Sequence, residues 1–247
     1  MLGLGNTLSG GIVPAAATAF SNTYSIDFDG SDDFAVTGDS REWNGAGSWS
    51  WWQKDTVTDG NTIPFANSDT SFYIQIYQQR WIVVNKYFSQ TTQNSFYASS
   101  SEIGDGNWHH VVLTMDGVPS SNTYKLYLDG ALIDTHARTH GTADDLADGI
   151  LYIGKYSSGL LYDGQLDEIG VWLGDILSLA EVQALYNSGV PIDLQTDAGD
   201  YASSGSLTSY WKMGDGDTFP TLTDNEGDSD ATMTNMTSGD IVSDVPS

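Results

Sequence analysis

Two neighbouring carboxyls, Asp167 and Glu168, sit in the run Gly164-Gln165-Leu166-Asp167-Glu168-Ile169, and two neighbouring imidazoles, His109 and His110, follow Trp108. A carboxyl pair can hydrolyse a glycoside with retention when its members stand about 5–5.5 Å apart across the bond. Asp167 and Glu168 lie in a strand-like stretch, where successive side chains leave on opposite faces, so they are expected not to act together. They read instead as a capped strand end beside a helix. His109 and His110 likewise point to opposite faces, and neither has a partner at His-x-x-x-His spacing, so both read as sheet histidines. No Ser/His/Asp arrangement and no phosphate-cradling glycine loop is visible. With no cysteine there is no thiol nucleophile, iron–sulfur cluster, Cys-based zinc site or disulfide scaffold. No catalytic or metal-ligating residue is assigned, and the chain reads as non-enzymatic.

Binding chemistry has two other candidates. Trp49, Trp51 and Trp52 crowd one short stretch. Some must be core, because large rings dominate burial in sandwiches, but an exposed ring could stack on the apolar face of a sugar. Carboxylates gather at Asp32-Asp33 and in the loop holding Asp215, Asp217, Asp224 and Asp228, where oxygen ligands could hold Ca²⁺, although EF-hand spacing is missing.

Charge narrows the partners. Against 33 Asp and Glu stand only eight Lys and Arg, a formal charge of −25, and the sequence pI is near 4.1. From Tyr156 to Ser247 there are sixteen acids and one base, Lys212. Such a surface repels phosphate backbones and anionic lipid, which argues against nucleic-acid and membrane partners. No apolar run approaches the roughly 18 residues of a membrane span. Residues 1–20 lack a basic start, and Gly3, Gly5, Gly10 and Gly11 interrupt the apolar stretch, so they read as an arm rather than a signal peptide.

The elements that must position these residues are mostly strands. Tyr24, Ile26 and Phe28 alternate with polar residues, Phe72–Tyr77 and Trp81–Val84 read as a hairpin, and Tyr124–Leu128 turns back at Asp129-Gly130 into Ala131–Ile133. Trp108–Met115, Ile150–Ile153 and Leu166–Trp172 continue the series, with Leu207–Met213 and Thr232–Met236 near the end. One helix interrupts it: Ser178-Leu179-Ala180-Glu181 is a capping box, Leu177 can staple to Val182, Leu185 and Tyr186 share its face, and Gly189 suits the stop. Short strands separated by Gly, Asn, Asp and Ser predict two packed antiparallel sheets. One domain over 23–247, including the acidic C-terminal segment, follows an arm at 1–22.

Five segments, in order, resemble a known family. Phe28-Asp29-Gly30-Ser31-Asp32-Asp33-Phe34, Trp108-His109-His110-Val111, Tyr127-Leu128-Asp129-Gly130, Gly164–Ile169 and Leu177–Gly189 are similar to laminin-G-like jelly rolls of the concanavalin A-like superfamily. The match runs from about residue 24 to 190 and implies an all-β, two-sheet antiparallel jelly-roll sandwich with one short helix. Glucanases of that superfamily carry Glu-x-Asp-x-x-Glu on one strand, a spacing missing here. The tail, Tyr210–Asp215 followed by Thr223–Gly227, resembles a segment that many such domains carry before their first strand. A permuted strand at the end could fill the same place in the sheet. Arm, jelly roll and tail together resemble virion proteins of marine tailed phages. That resemblance implies a capsid decoration or fibre-like protein on the virion surface, assembled in the host cytoplasm. Its arm would dock on capsid or other virion proteins, and it could self-associate. The alternative is a calcium-assisted, lectin-like glycan-binding module.

Overall fold

The computed structural model describes residues 20–43, 45–57, 60–68, 72–78, 80–85, 95–99, 104–117, 121–139, 148–156 and 159–247. The proposed arm therefore lies outside the described residues, apart from Phe20–Asn22. The described residues form sixteen strands. They are β1 (Ser25–Asp29), β2 (Phe34–Arg41), β3 (Gly47–Lys54), β4 (Asn61–Asn67), β5 (Phe72–Tyr77), β6 (Arg80–Asn85), β7 (Ser95–Ser99) and β8 (His109–Met115). After them come β9 (Ser121–Leu128), β10 (Ala131–Thr139), β11 (Gly149–Ile153), β12 (Asp163–Leu173), β13 (Ser209–Trp211), β14 (Thr221–Leu222), β15 (Ala231–Thr234) and β16 (Ile241–Val242).

They form two antiparallel sheets of eight strands. The first runs β10-β9-β8-β3-β12-β1-β16 with β13 also on β12, and the second runs β14-β15-β2-β11-β4-β5-β6-β7. Between them lies an aromatic core that includes Trp43, Trp49, Trp51, Phe65, Phe72 and Trp81. Each fully buried apolar side chain of this kind contributes about 1.5–3 kcal/mol.

The first sheet is covered on its outer face as well. Val112, Tyr127, Trp172 and Tyr210 pack there against Leu177, Val182 and Leu185 of the helical segment and against Leu194, Tyr201 and Leu207. The helix, α1, spans Leu179–Tyr186, and its capping box forms as the sequence predicts, with Ser178 accepting from the Glu181 amide. Its stop differs. Asn187, not Gly189, is the left-handed terminating residue, at φ 43°, because asparagine also tolerates that conformation.

The Asp129-Gly130 turn joins β9 to β10 with both residues at positive φ, as a type I′ hairpin requires. β13 pairs with Ile169–Val171 of β12, and β1 pairs with the preceding Asp163–Leu166. The tail segment thus lies end to end with the first strand along one side of β12.

Candidate functional site

With the first sheet covered, the outer face of the second sheet is where strand alternation can present large side chains to solvent. Along β2, β5 and β11 the inward residues Ala35, Phe72, Ile74, Leu151 and Ile153 are fully buried. Their outward neighbours Phe34, Val36, Tyr73, Gln75 and Tyr152 are half-buried, and Tyr77 is 40% exposed. Register aligns these positions across the strands: Thr232 faces Val36, Val36 faces Tyr152, Tyr152 faces Ala66, and Ala66 faces Tyr73.

Ala66 on β4, itself fully buried, thus lies between two tyrosines in the register. Tyr152 and Tyr73 stand two strands apart, about 9.5 Å. Phe34 meets Tyr152 edge-on at 6.1 Å between ring centroids, and Tyr156 meets Tyr73 edge-on at 4.9 Å. Lys155 lays its ammonium 3.8 Å from the Phe34 ring centre and 5.7 Å from that of Tyr152. Edge-to-face pairs of this kind are a favoured aromatic geometry. Exposed amides of Gln75 and Asn61 hydrogen-bond each other at its margin.

The tryptophans named by the sequence are not this platform. Trp49 and Trp51 are wholly buried and pack on Phe65 in the core. Trp52 is 3% exposed and stacks with His110 and Tyr186 beneath α1. Trp108 alone of the eight tryptophans keeps partial exposure, and its Nε1 donates to Asp244 Oδ1 at 3.2 Å. The aromatic strip is built from tyrosines and phenylalanine instead, and their outward positions in β2, β5 and β11 were the signal to read.

His109 and His110 are both held within the sheet by hydrogen bonds. Buried His110 bonds Ser50 through Nε2 at 2.8 Å, and desolvation pushes its pKa down to about 3. His109 lies between Asp129 Oδ2 at 2.7 Å and Asp105 Oδ1 at 3.2 Å. Burial opposes its protonation, but the two carboxylates outweigh it and hold its pKa above the ordinary value.

Asp167 and Glu168 correct the sequence reading. A bulge shifts the β12–β3 register between Asp167 and Gly170, and Glu168 takes φ 47°. Such a bulge breaks the alternation. Asp167 faces Trp52 in the register, and Glu168 accepts from the Tyr210 hydroxyl. Both carboxyls therefore leave on the outer side of the first sheet. They are buried at 0% and 2% exposure, so a substrate cannot reach them.

The acidic loop is engaged by backbone amides. Asp215 Oδ2 accepts from Thr23 and Tyr24, and Asp217 accepts from Gly214 and Thr223. Asp224 accepts from Tyr210, Glu226, Gly227 and Ser229, while Asp228 is exposed. These side chains serve as turn caps. Among the described residues one acidic trio, Asp29, Asp32 and Asp33, brings its ligand atoms within 4.8 Å of one another. Asp33 is buried, and desolvation with the neighbouring carboxylates raises its pKa. A hard cation would fit such an all-oxygen set; it keeps Asp32 and Asp33 of the sequence reading and adds Asp29.

One similar structure is a Bacteroides ovatus protein proposed to be carbohydrate-binding, with TM-score 0.66 and 15% identity, covering 92% of this chain and 62% of that one. The chain thus spans less than two thirds of that relative's length. Another is the native heptameric SAP-like pentraxin of Limulus polyphemus, with TM-score 0.54 and 17% identity over 67% of this chain and 82% of that one. At these identities the likeness is one of fold. No curated protein matches the chain. A laminin G-type family model does match, over residues 28–183, which is more than half of the chain, so the chain belongs to the concanavalin A-like lectin/glucanases superfamily.

Proposed function

We propose that this chain is a non-enzymatic carbohydrate-binding module whose binding surface is the Phe34–Tyr152–Ala66–Tyr73–Tyr156 strip. The carrying observation is that these large rings stay half-buried on the outer face of the second sheet while seven of the eight tryptophans are buried. A pyranose ring has an apolar C–H face and a polar rim of hydroxyls. The first packs on Tyr152 or Tyr73, and the second meets the tyrosine hydroxyls, Gln75 and the Lys155 ammonium. Few convergent polar groups over an aromatic floor are the usual make-up of such sites.

The likeness to a protein proposed to bind carbohydrate supports this reading. Non-enzymatic action is supported by the burial of Asp167 and Glu168 away from that face. The test is a glycan array followed by calorimetry. Tyr152→Ala and Tyr73→Ala should each weaken the best glycan about tenfold, the worth of one lost stacking contact, whereas Trp108→Ala should leave it unchanged. Absence of any glycan binding, or loss only in the Trp108 variant, would refute the assignment. Display on a virion is a separate proposal about where the module works. It rests on the arm at residues 1–22, nearly all of it outside the described residues, and deleting residues 2–20 should abolish particle attachment.

A further inference from the structure

The second sheet's strip makes no use of Asp167 and Glu168, which lie together on the outer side of the first sheet. Their hydrogen bonds are unequal. Asp167 accepts at both oxygens, from the Glu168 amide at 2.9 Å and from Asn22 Nδ2 at 2.7 Å. Glu168 accepts from the Tyr210 hydroxyl at Oε2, and its Oε1 is buried with no partner. A buried anionic oxygen without a donor is far costlier than a neutral one. Burial raises the pKa of both carboxyls, and this inequality favours the charge on Asp167 and the proton on Glu168.

A cation in the proton's place fits less well. Among the described residues the acidic trio that converges to ion size is Asp29, Asp32 and Asp33, not this pair with Asp215. Above the pair lies the chain that enters β1. Asn22 bonds Asp167, and the Thr23 and Tyr24 amides bond Asp215 Oδ2 at 2.7 and 3.0 Å. Thr23 and Tyr24 are exposed, whereas Tyr210 on the other side is wholly buried. Opening the entering segment on this exposed side breaks these three hydrogen bonds and no strand pairing.

We propose that Asp167 and Glu168 form a proton-held latch over which residues 20–24 close, and that loss of the proton from Glu168 releases this segment. The other groups facing the pair are Tyr210 and Lys212 on and after β13, Asp215 in the next loop, Asp193 near Tyr210, and neutral His110 beyond Trp52. Burial first, then the Asp167 charge, raises the Glu168 pKa, and the Tyr210 hydrogen bond and Lys212 offset only part of this. The closed segment therefore holds the proton more tightly than the open one, and closure is lost as pH rises through the pair's titration.

The test is hydrogen exchange of the Thr23 and Tyr24 amides in the full chain from pH 5 to 9, corrected for intrinsic exchange. Protection should fall about tenfold or more across the titration in the wild type. In Glu168→Gln, which keeps the acceptor for Tyr210 and cannot ionise, protection should stay flat. Protection independent of pH in the wild type, or the same fall in both proteins, overturns the latch. So does restoration of wild-type protection at pH 9 by millimolar Ca²⁺ or Mg²⁺, which would make a cation the natural occupant. Should Glu168→Gln fail to fold, carboxyl ¹³C titration of wild-type Glu168 decides: a midpoint coinciding with the exchange change supports the latch, and no titration in this range refutes it.

Discussion

Asp55, just beyond β3, supports the most quantitative prediction. It is 5% exposed. It ends a buried chain in which Trp51 Nε1 donates to Gln53 Oε1 at 2.9 Å and Gln53 Nε2 donates to Asp55 Oδ2 at 3.1 Å. Its Oδ1 has no partner. Desolvation, only partly offset by hydrogen bonds and by His109, pushes its pKa up from 3.8 to about 6. At about 1.36 kcal/mol per pKa unit, ionised Asp55 costs the fold about 3 kcal/mol relative to the protonated form. Because the folded state binds this proton more tightly, that stability is present in full below about pH 4 and is lost as pH rises through 6.

Asp55→Asn keeps the acceptor for Gln53 and cannot ionise. It should match the wild type near pH 4 and be more stable by about 3 kcal/mol at pH 8, with the gap opening between those values. Urea unfolding at unit pH steps measures the gap. The comparison cancels the common effect of the −25 charge, which also favours acid conditions. A stability difference constant from pH 4 to 8 would refute the reasoning.

Asp224 accepts from four backbone amides while Asp228 is exposed. Asp224→Ala should therefore cost about 3 kcal/mol in chemical unfolding, and Asp228→Ala within about 0.5 kcal/mol. Equal effects would mean that the loop is not held by these bonds. If the Asp29–Asp32–Asp33 trio takes Ca²⁺, millimolar Ca²⁺ should raise the melting temperature over chelator, and Asp29→Asn with Asp32→Asn should abolish the rise, since a ligand of the folded state must stabilise it. No rise in the wild type, or an unchanged rise in the variant, would remove the trio as a site.

Much of the architecture is legible in local pattern. The alternation at Phe72–Tyr77, the Asp129-Gly130 turn and the Ser178–Glu181 capping box each rest on short-range sterics or hydrogen bonding, and each appears where the residues indicate. The helix stop is off by two residues, since Asn187 and Gly189 both tolerate the left-handed conformation and only the packing of α1 selects between them.

The candidate site is less legible. Trp49, Trp51 and Trp52 look like a sugar platform in isolation, yet β3 is central in a sheet covered on both faces, so both sets of its side chains are buried. Tyr152 and Tyr73 become a surface because, among the described residues, no helix packs on the outer side of their sheet, and register aligns them around Ala66. Sequence by itself determined the class of the fold, the one helix and many of the strands, though not β2 or β4, and the acidity of the chain. Tertiary structure alone decided which rings meet solvent and that Asp167 and Glu168 share a face. A period of two records that neighbours point apart, but which side is core, and where a bulge suspends the rule, depend on strands distant in the chain.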